Sequence, residues 1–233
     1  MERSTRPLTD RAHEEGRVPA APRLTSGDSR LYRRAGKRAL DLALGLPFLV
    51  ASIPVILMLA ACVVFTSGWP PFYVATRIGQ KGRAFRMWKL RTMVRDAEQL
   101  LANWRESRPE LADRFARGFK LEADPRVTAL GKLLRRGSLD ELPQLLNVVR
   151  GDMSFVGPRP ITAREVTLYG PHAATLLATR PGMTGKWQVG GRNRISYPER
   201  LNVELSYCEA VSFLADLKIL FRTIKTVVSG GGV

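Results

Sequence analysis

The sequence predicts a mostly helical fold with a few short β-strands (α+β). An N-terminal re-entrant membrane segment, helix-break-helix, joins amphipathic interfacial helices around a soluble body. Three observations predict it. Residues 42–65, LALGLPFLVASIPVILMLAACVVF, form an uncharged apolar run. Later segments repeat apolar residues at helical spacing with basic residues opposite. Strand signals are confined to short stretches around FYVATRIG and KWQVGG.

Residues 1–34 are rich in Arg, Pro, Ser and Gly and show no sustained apolar period, so they read as a flexible basic arm. Residues 35–76 are the membrane hairpin. No charge lies between Asp41 and Arg77, and an apolar run of about 20 residues is long enough to cross a bilayer. Pro54 lacks an N–H and collides with the preceding turn, so a break is expected there. The pieces on either side reach only roughly 16–18 Å at 1.5 Å per residue, short of a hydrocarbon core of about 30 Å. Both flanks are basic, with Arg33, Arg34, Lys37 and Arg38 before and Arg77, Lys81, Arg83 and Arg86 after. Positive flanks stay on the cytoplasmic side, so a segment that enters and returns is favoured over a kinked span. Residues 77–233 form the body. Within it RVTALGKLLRRGS sets Val127, Leu130, Leu133 and Leu134 against Arg126, Lys132, Arg135 and Arg136. FLADLKILFRTIKTVV is a second basic amphipathic stretch, and both suit an anionic bilayer surface.

The chain has 233 residues and a net charge of 37 − 21 = +16. Such an excess calls for a phosphate-bearing partner: nucleic acid, anionic lipid or a phosphorylated substrate. The basic residues are spread along the whole chain and match no nucleic-acid motif, so no nucleic-acid partner is expected. A hydrophobic share of 45% excludes wholesale disorder, and two Cys with two His are too few for a disulfide framework or a Cys/His zinc site.

Asp140-Glu141 is the strongest candidate for chemistry. Ser138 and Glu141 have capping-box spacing, or Asp140 is itself the N-cap; either way Asp140 stands at the amino end of a helix whose buried stripe is Leu139, Leu142, Leu146 and Val149. Arg135 lies within two turns, placed to pair with Glu141 or to grip an anion bidentately. Lys89 and Arg91 alternate as on a strand and share a face that suits a diphosphate. Arg159 sits between Pro158 and Pro160 and loses little freedom on binding. Arg180-Pro181-Gly182 and Gly190-Gly191-Arg192-Asn193 are further tight turns that present cations, and Trp187 is available to stack on a base or sugar or to fill core.

The strings KRALD (37–41), RIGQKGRAFRMWKLRTM (77–93), DPRVTALGKLLRRGSLDELPQLLNVVRGDMSFVGPRP (124–160), RPGMTGKWQVGGRN (180–193) and DLKIL near the end resemble the bacterial sugar transferases, small monotopic polyprenyl-phosphate phosphoglycosyltransferases. GRNRISYPER is most similar to members that prime exopolysaccharide synthesis with galactose- or glucose-phosphate. The resemblance covers roughly residues 35–230. It implies a cytoplasmic catalytic domain on the bacterial inner membrane, with UDP-sugar, polyprenyl (undecaprenyl) phosphate and anionic inner-membrane lipid as partners, Mg²⁺ as cofactor, and room for a homo-oligomer. It implies release of UMP by a ping-pong route through a covalent phosphosugar-enzyme intermediate. Asp140 matches the nucleophile and metal contact, Glu141 its partner, and Arg135 the arginine that orients Glu141. Lys89, Arg91, Arg159, Arg192 and Asn193 match substrate-binding positions, and Ser52 with Pro54 the membrane break. The usual Ser-Pro is here Ile53-Pro54, and Ala75, Glu204 and Val211 depart from frequent Gln, Asp and Trp.

Overall fold

The computed structural model describes residues 31–107, 110, 124–190 and 197–228. Nearly all of the N-terminal arm lies outside them, as do Arg192 and Asn193. Within them the chain is mostly helical with four short strands.

A π-helical turn, Tyr32–Gly36, leads into α1, Lys37–Ser67, a helix of 31 residues that carries Pro47 and Pro54 inside it. Two helices divided at Pro54 are therefore not what forms. Each proline forfeits one backbone bond, a cost of about 3 kcal/mol or more. On both sides lie Leu, Ala and Met, strong helix formers, and an apolar run offers its other backbone groups no partners except those of a helix. Next to the second proline, Ser52 Oγ donates to the Leu49 carbonyl at 2.9 Å.

Strands β1, Phe72–Ile78, and β2, Ala84–Leu90, form an antiparallel hairpin with Phe72 opposite Leu90 and Ile78 opposite Ala84. After α2, Ala97–Ser107, helix α3 spans Ala129–Arg136. Thr128 caps α3 by accepting from Gly131 N at 2.9 Å. Gly131 is required by packing: a Cβ there would stand 2.1 Å from the Thr92 carbonyl oxygen. The buried face of α3 is Gly131 and Leu134, whereas Leu133 is 64% exposed and Arg126 is buried in a pair with Asp124. The amphipathic helix is thus rotated from the face that apolar spacing alone suggests, because the close approach at Gly131 decides what turns inward.

A 3₁₀ segment, Leu139–Gln144, runs into α4, Leu145–Arg150. Strands β3, Ser154–Val156, and β4, Gly182–Thr184, pair in parallel. Between them lie α5, Ala163–Val166, a 3₁₀ segment Thr167–His172, and α6, Ala173–Leu177. Helices α7, Lys186–Gly190, α8, Tyr197–Glu209, and α9, Phe213–Val228, complete the body. KWQVG (186–190) is helical, not a strand; the strand is the GMT just before it, where Gly182 packs backbone to backbone against Gly157.

Both ends of α1 are seated on this body. At the first end, Lys37 Nζ donates to Asp216 Oδ2 at 2.5 Å and to the Tyr207 hydroxyl at 3.0 Å, while Tyr32 donates to the same Asp216 oxygen at 2.6 Å. The Arg38 guanidinium donates to the Val148 and Val149 carbonyls, each at 2.6 Å. Asp41 Oδ1 accepts from Ser154 Oγ at 2.9 Å and Phe155 N at 3.0 Å. At the far end Ala60 and Val63 pack with Leu90 and Leu134, and Arg91 Nη2 donates to the Ser67 carbonyl at 2.6 Å and to that of Gly68. Between Leu46 and Val55 no residue is buried; Leu46, Phe48, Val50 and Ile53 stand exposed.

The Lys37–Asp216 pair yields a prediction. Lys37→Ala strands a carboxylate that is 1% exposed, a loss of about 3–5 kcal/mol for a broken buried pair. Thermal unfolding in detergent is expected to show a large drop for Lys37→Ala and a much smaller one for Lys37→Met combined with Asp216→Leu.

Candidate active site

Asp140 is placed by backbone, not by a cap. Ser138 sits in the left-handed region at φ 55°, which turns the chain from α3 into the 3₁₀ segment, and its hydroxyl caps nothing. The capping box with Glu141 does not form: Glu141 N reaches the Ser138 carbonyl at 3.2 Å, and the Glu141 side chain goes elsewhere. The 3₁₀ period also shifts the buried stripe. Leu139, Leu142, Leu146 and Val149 are only half-buried, and Pro143, Gln144, Leu145, Asn147 and Val148 fill the interior instead. Three residues per turn, rather than 3.6, accounts for the change of phase.

Glu141 Oε1 is paired with Lys89 Nζ at 2.6 Å. That is the partner expected of Arg135. Arg135 instead donates from Nε to Thr92 Oγ1 at 3.0 Å. The Asp140 carboxylate is left out of both pairs, though it is 7% exposed. Burial pushes it above the usual carboxylate range and Glu141 adds to this, while Lys89 and Arg135 pull it back. Burial lowers the Arg135 guanidinium, and Asp140 and Asp124 oppose that shift. A buried carboxylate with cations close by, bonded to neither of them and, among the described residues, accepting only from its own backbone N–H, is a group available for chemistry.

The other candidates divide. Lys89, one residue before the end of β2, lies at the site, whereas Arg91, just beyond the strand, turns to the carbonyls at the end of α1 and does not join Lys89. Arg159 belongs to a second cluster: its N–H donates to Glu204 Oε1 at 3.3 Å, and Glu204 also accepts from Tyr169 and Arg200. Burial lowers the Arg159 guanidinium, with Arg200 adding to the effect. Trp187 stacks under Arg200, 4.4 Å from ring centre to guanidinium carbon. Asn147 is a positioning residue that pattern reading overlooks. Fully buried, it accepts from Trp88 N at 3.2 Å and donates to the Arg86 carbonyl at 2.8 Å, locking β2 to α4. Its signal was an asparagine inside the apolar run QLLNVV.

A family model described as bacterial sugar transferase matches residues 32–230. The chain belongs to the bacterial sugar transferase family. It is 42% identical over 196 residues to the exopolysaccharide production protein ExoY of Sinorhizobium fredii, covering 84% of this chain and 87% of that protein. It is 38% identical to the undecaprenyl-phosphate galactose phosphotransferase of Salmonella typhimurium over 84% of this chain and 41% of that protein. It is 36% identical to the UDP-glucose:undecaprenyl-phosphate glucose-1-phosphate transferase of Caulobacter vibrioides over 83% of this chain and 70% of that protein.

In this family member a divalent ion would have few protein ligands. Among the described residues no cluster of three His, Cys, Asp or Glu could hold one. Mg²⁺ characteristically takes one or two carboxylates and leaves the rest to water and substrate phosphate. The uncommitted Asp140 carboxylate fits that mode.

The Lys89–Glu141 pair separates stability from activity. Both side chains are partly exposed, so Lys89→Met is expected to cost about 1 kcal/mol or less in unfolding. Turnover should fall by about tenfold or more, because a cation beside the Asp140 carboxylate is lost. Melting curves and initial rates on the same preparation check both halves.

Proposed function

We propose that the protein transfers a hexose-1-phosphate from a UDP-sugar to polyprenyl phosphate at the bacterial inner membrane, in the first membrane step of exopolysaccharide synthesis. The observation that carries the reading is the Asp140 carboxylate, buried beside Lys89 and Arg135 yet bonded to neither. The names of the relatives supply the substrate class.

An Asp140 oxygen attacks the phosphorus that bears the sugar. The bond from that phosphorus to the bridging oxygen breaks, UMP leaves with that oxygen, and a sugar-phosphoryl aspartate remains. An oxygen of polyprenyl phosphate then attacks the same phosphorus and expels the Asp140 carboxylate, giving the lipid-linked diphosphate sugar. Splitting the transfer gives each step an anionic leaving group. Arg135 and Lys89 hold the charge on the phosphoryl oxygens, and Glu141 fixes the Lys89 ammonium. Mg²⁺, held by Asp140 and substrate oxygens, would neutralise the diphosphate.

The membrane reading follows from α1. At 31 residues it is about 46 Å long, enough to span. A spanning helix delivers its ends to opposite sides, and this one returns both to the same body. Prolines inside a helix bend it without ending it, so we read α1 as bent at Pro47 and Pro54, its exposed middle around Ser52 and Pro54 entering and leaving one leaflet, with the body on the cytoplasmic face.

Two measurements test these proposals. Asp140→Asn is expected to abolish UMP release and the covalent adduct; wild-type enzyme should exchange labelled UMP into UDP-sugar without lipid, in a reaction lost to chelator and restored by Mg²⁺. Normal turnover by the asparagine variant would overturn the nucleophile. For topology, single cysteines at residue 34 and residue 81 should both react with an impermeant thiol reagent only from the cytoplasmic side; labelling from opposite sides would establish a span.

A further inference from the structure

The segment 92–94 runs alongside 126–128. Val94 N donates to the Arg126 carbonyl at 2.9 Å, and Thr128 N donates to the Thr92 carbonyl at 3.0 Å. Gly131 lets the Thr92 carbonyl press against the first turn of α3. Thr92 is thereby fixed at its backbone, and it is 6% exposed. Its hydroxyl then accepts Arg135 Nε at 3.0 Å, from the last turn of the same helix. Among the described residues this is the hydrogen bond that Arg135 makes, and it uses one of five N–H donors. The four on Nη1 and Nη2 stay uncommitted and form the fork that matches two oxygens of a phosphate. Holding Nε at the back of the guanidinium leaves that fork free at the front.

We propose that Thr92 is a positioning residue that fixes the Arg135 guanidinium by its Nε edge, so that the terminal fork meets the phosphoryl group undergoing transfer. The inference rests on the transferase reading. A clamp of this kind acts on a group already bound: misplacing an arginine by about 1 Å costs on the order of 100-fold in rate with little loss of ground-state affinity. Thr92→Val keeps the branched shape and removes the acceptor. Thr92→Ser keeps the acceptor and removes a methyl group.

The test is a cycle of Thr92→Val, Thr92→Ser, Arg135→Lys and the double variant Thr92→Val/Arg135→Lys. UMP release is measured against UDP-sugar concentration in nanodiscs, with melting temperature in parallel. Thr92→Val should lower kcat by about tenfold or more with KM for UDP-sugar changed less than about twofold, and Thr92→Ser should retain most of kcat. In the Arg135→Lys background, which has no Nε edge to hold, Thr92→Val should add less than about twofold. A kcat loss equal in both backgrounds, a loss tracking melting temperature, or Thr92→Ser as impaired as Thr92→Val would overturn the proposal. Wild-type enzyme that releases no UMP from any UDP-sugar would overturn the transferase reading and this inference with it; normal wild-type turnover with an unaffected Thr92→Val overturns this inference alone.

Discussion

A carboxylate 7% exposed survives at residue 140 because its two neighbouring cations are held in place by other groups. Lys89 is paired with Glu141 and Arg135 is bonded to Thr92, so each acts on Asp140 through its field without forming a bond. Were either to close on Asp140, the carboxylate would be taken up by that pair and less available for the proposed attack. Glu141 and Thr92 thus have the same task on two sides of the site. The left-handed Ser138 is the backbone device that makes the arrangement possible, since it ends α3 directly behind Arg135 and sends the next residues inward. Strain at a non-glycine residue beside reactive groups is the common pattern for such sites.

The polar residues buried at the base of α1 explain how an apolar helix keeps a fixed orientation. A surface of Leu, Val and Ala alone slides, because its packing energy has little direction. Lys37, Arg38 and Asp41 each bond to a different part of the body: α8 and α9, the end of α4, and β3. Three directional contacts within five residues fix both rotation and depth. Arg91 does the same at the far end by taking the carbonyls that helix α1 cannot satisfy internally. Buried charge of this sort contributes little net stability. What it supplies here is a single register for the membrane segment.

Much of this was legible in the residues, and the failures share a cause. The apolar run, the β1 strand and the nearness of Arg135 to Asp140-Glu141 follow from local pattern, because each depends on residues close in sequence, whereas Lys89 beside Asp140-Glu141 followed from the family resemblance alone. The partners did not follow. Glu141 meets Lys89 across 52 residues and Arg135 meets Thr92 across 43, and no spacing rule reaches that far. Arg91 alternates with Lys89 on paper, yet the strand ends at Leu90 and the next residue obeys the end of α1 instead. The phase of the helix after Asp140 was misjudged because a 3₁₀ turn and an α-turn look alike in composition. The break at Pro54 was inferred from a local rule that the surrounding helix formers override.

Strand β2 and the three residues after it join these two halves of the molecule. Asn147 fixes it at Arg86 and Trp88; Lys89 then faces the site, Leu90 packs under Ala60 and Val63 of α1, Arg91 holds the end of α1, and Thr92 holds Arg135. Of these four successive residues the outer two, Lys89 and Thr92, contact the candidate site and the inner two, Leu90 and Arg91, contact α1. A shared strand couples the two, so in the proposed membrane setting the height of Asp140 follows from covalent geometry and these few buried contacts. That matters for the second half of the proposed reaction. A polyprenyl phosphate presents its phosphorus at a depth dictated by its own apolar tail, and the enzyme cannot lift the tail from the lipid without losing about 0.8 kcal/mol for each CH₂ exposed. The soluble nucleotide sugar, by contrast, adjusts freely. Under the proposed reaction it is the lipid, of the two substrates, that the site must meet at a set depth, and the coupling of α1 to the site through one strand suits that demand.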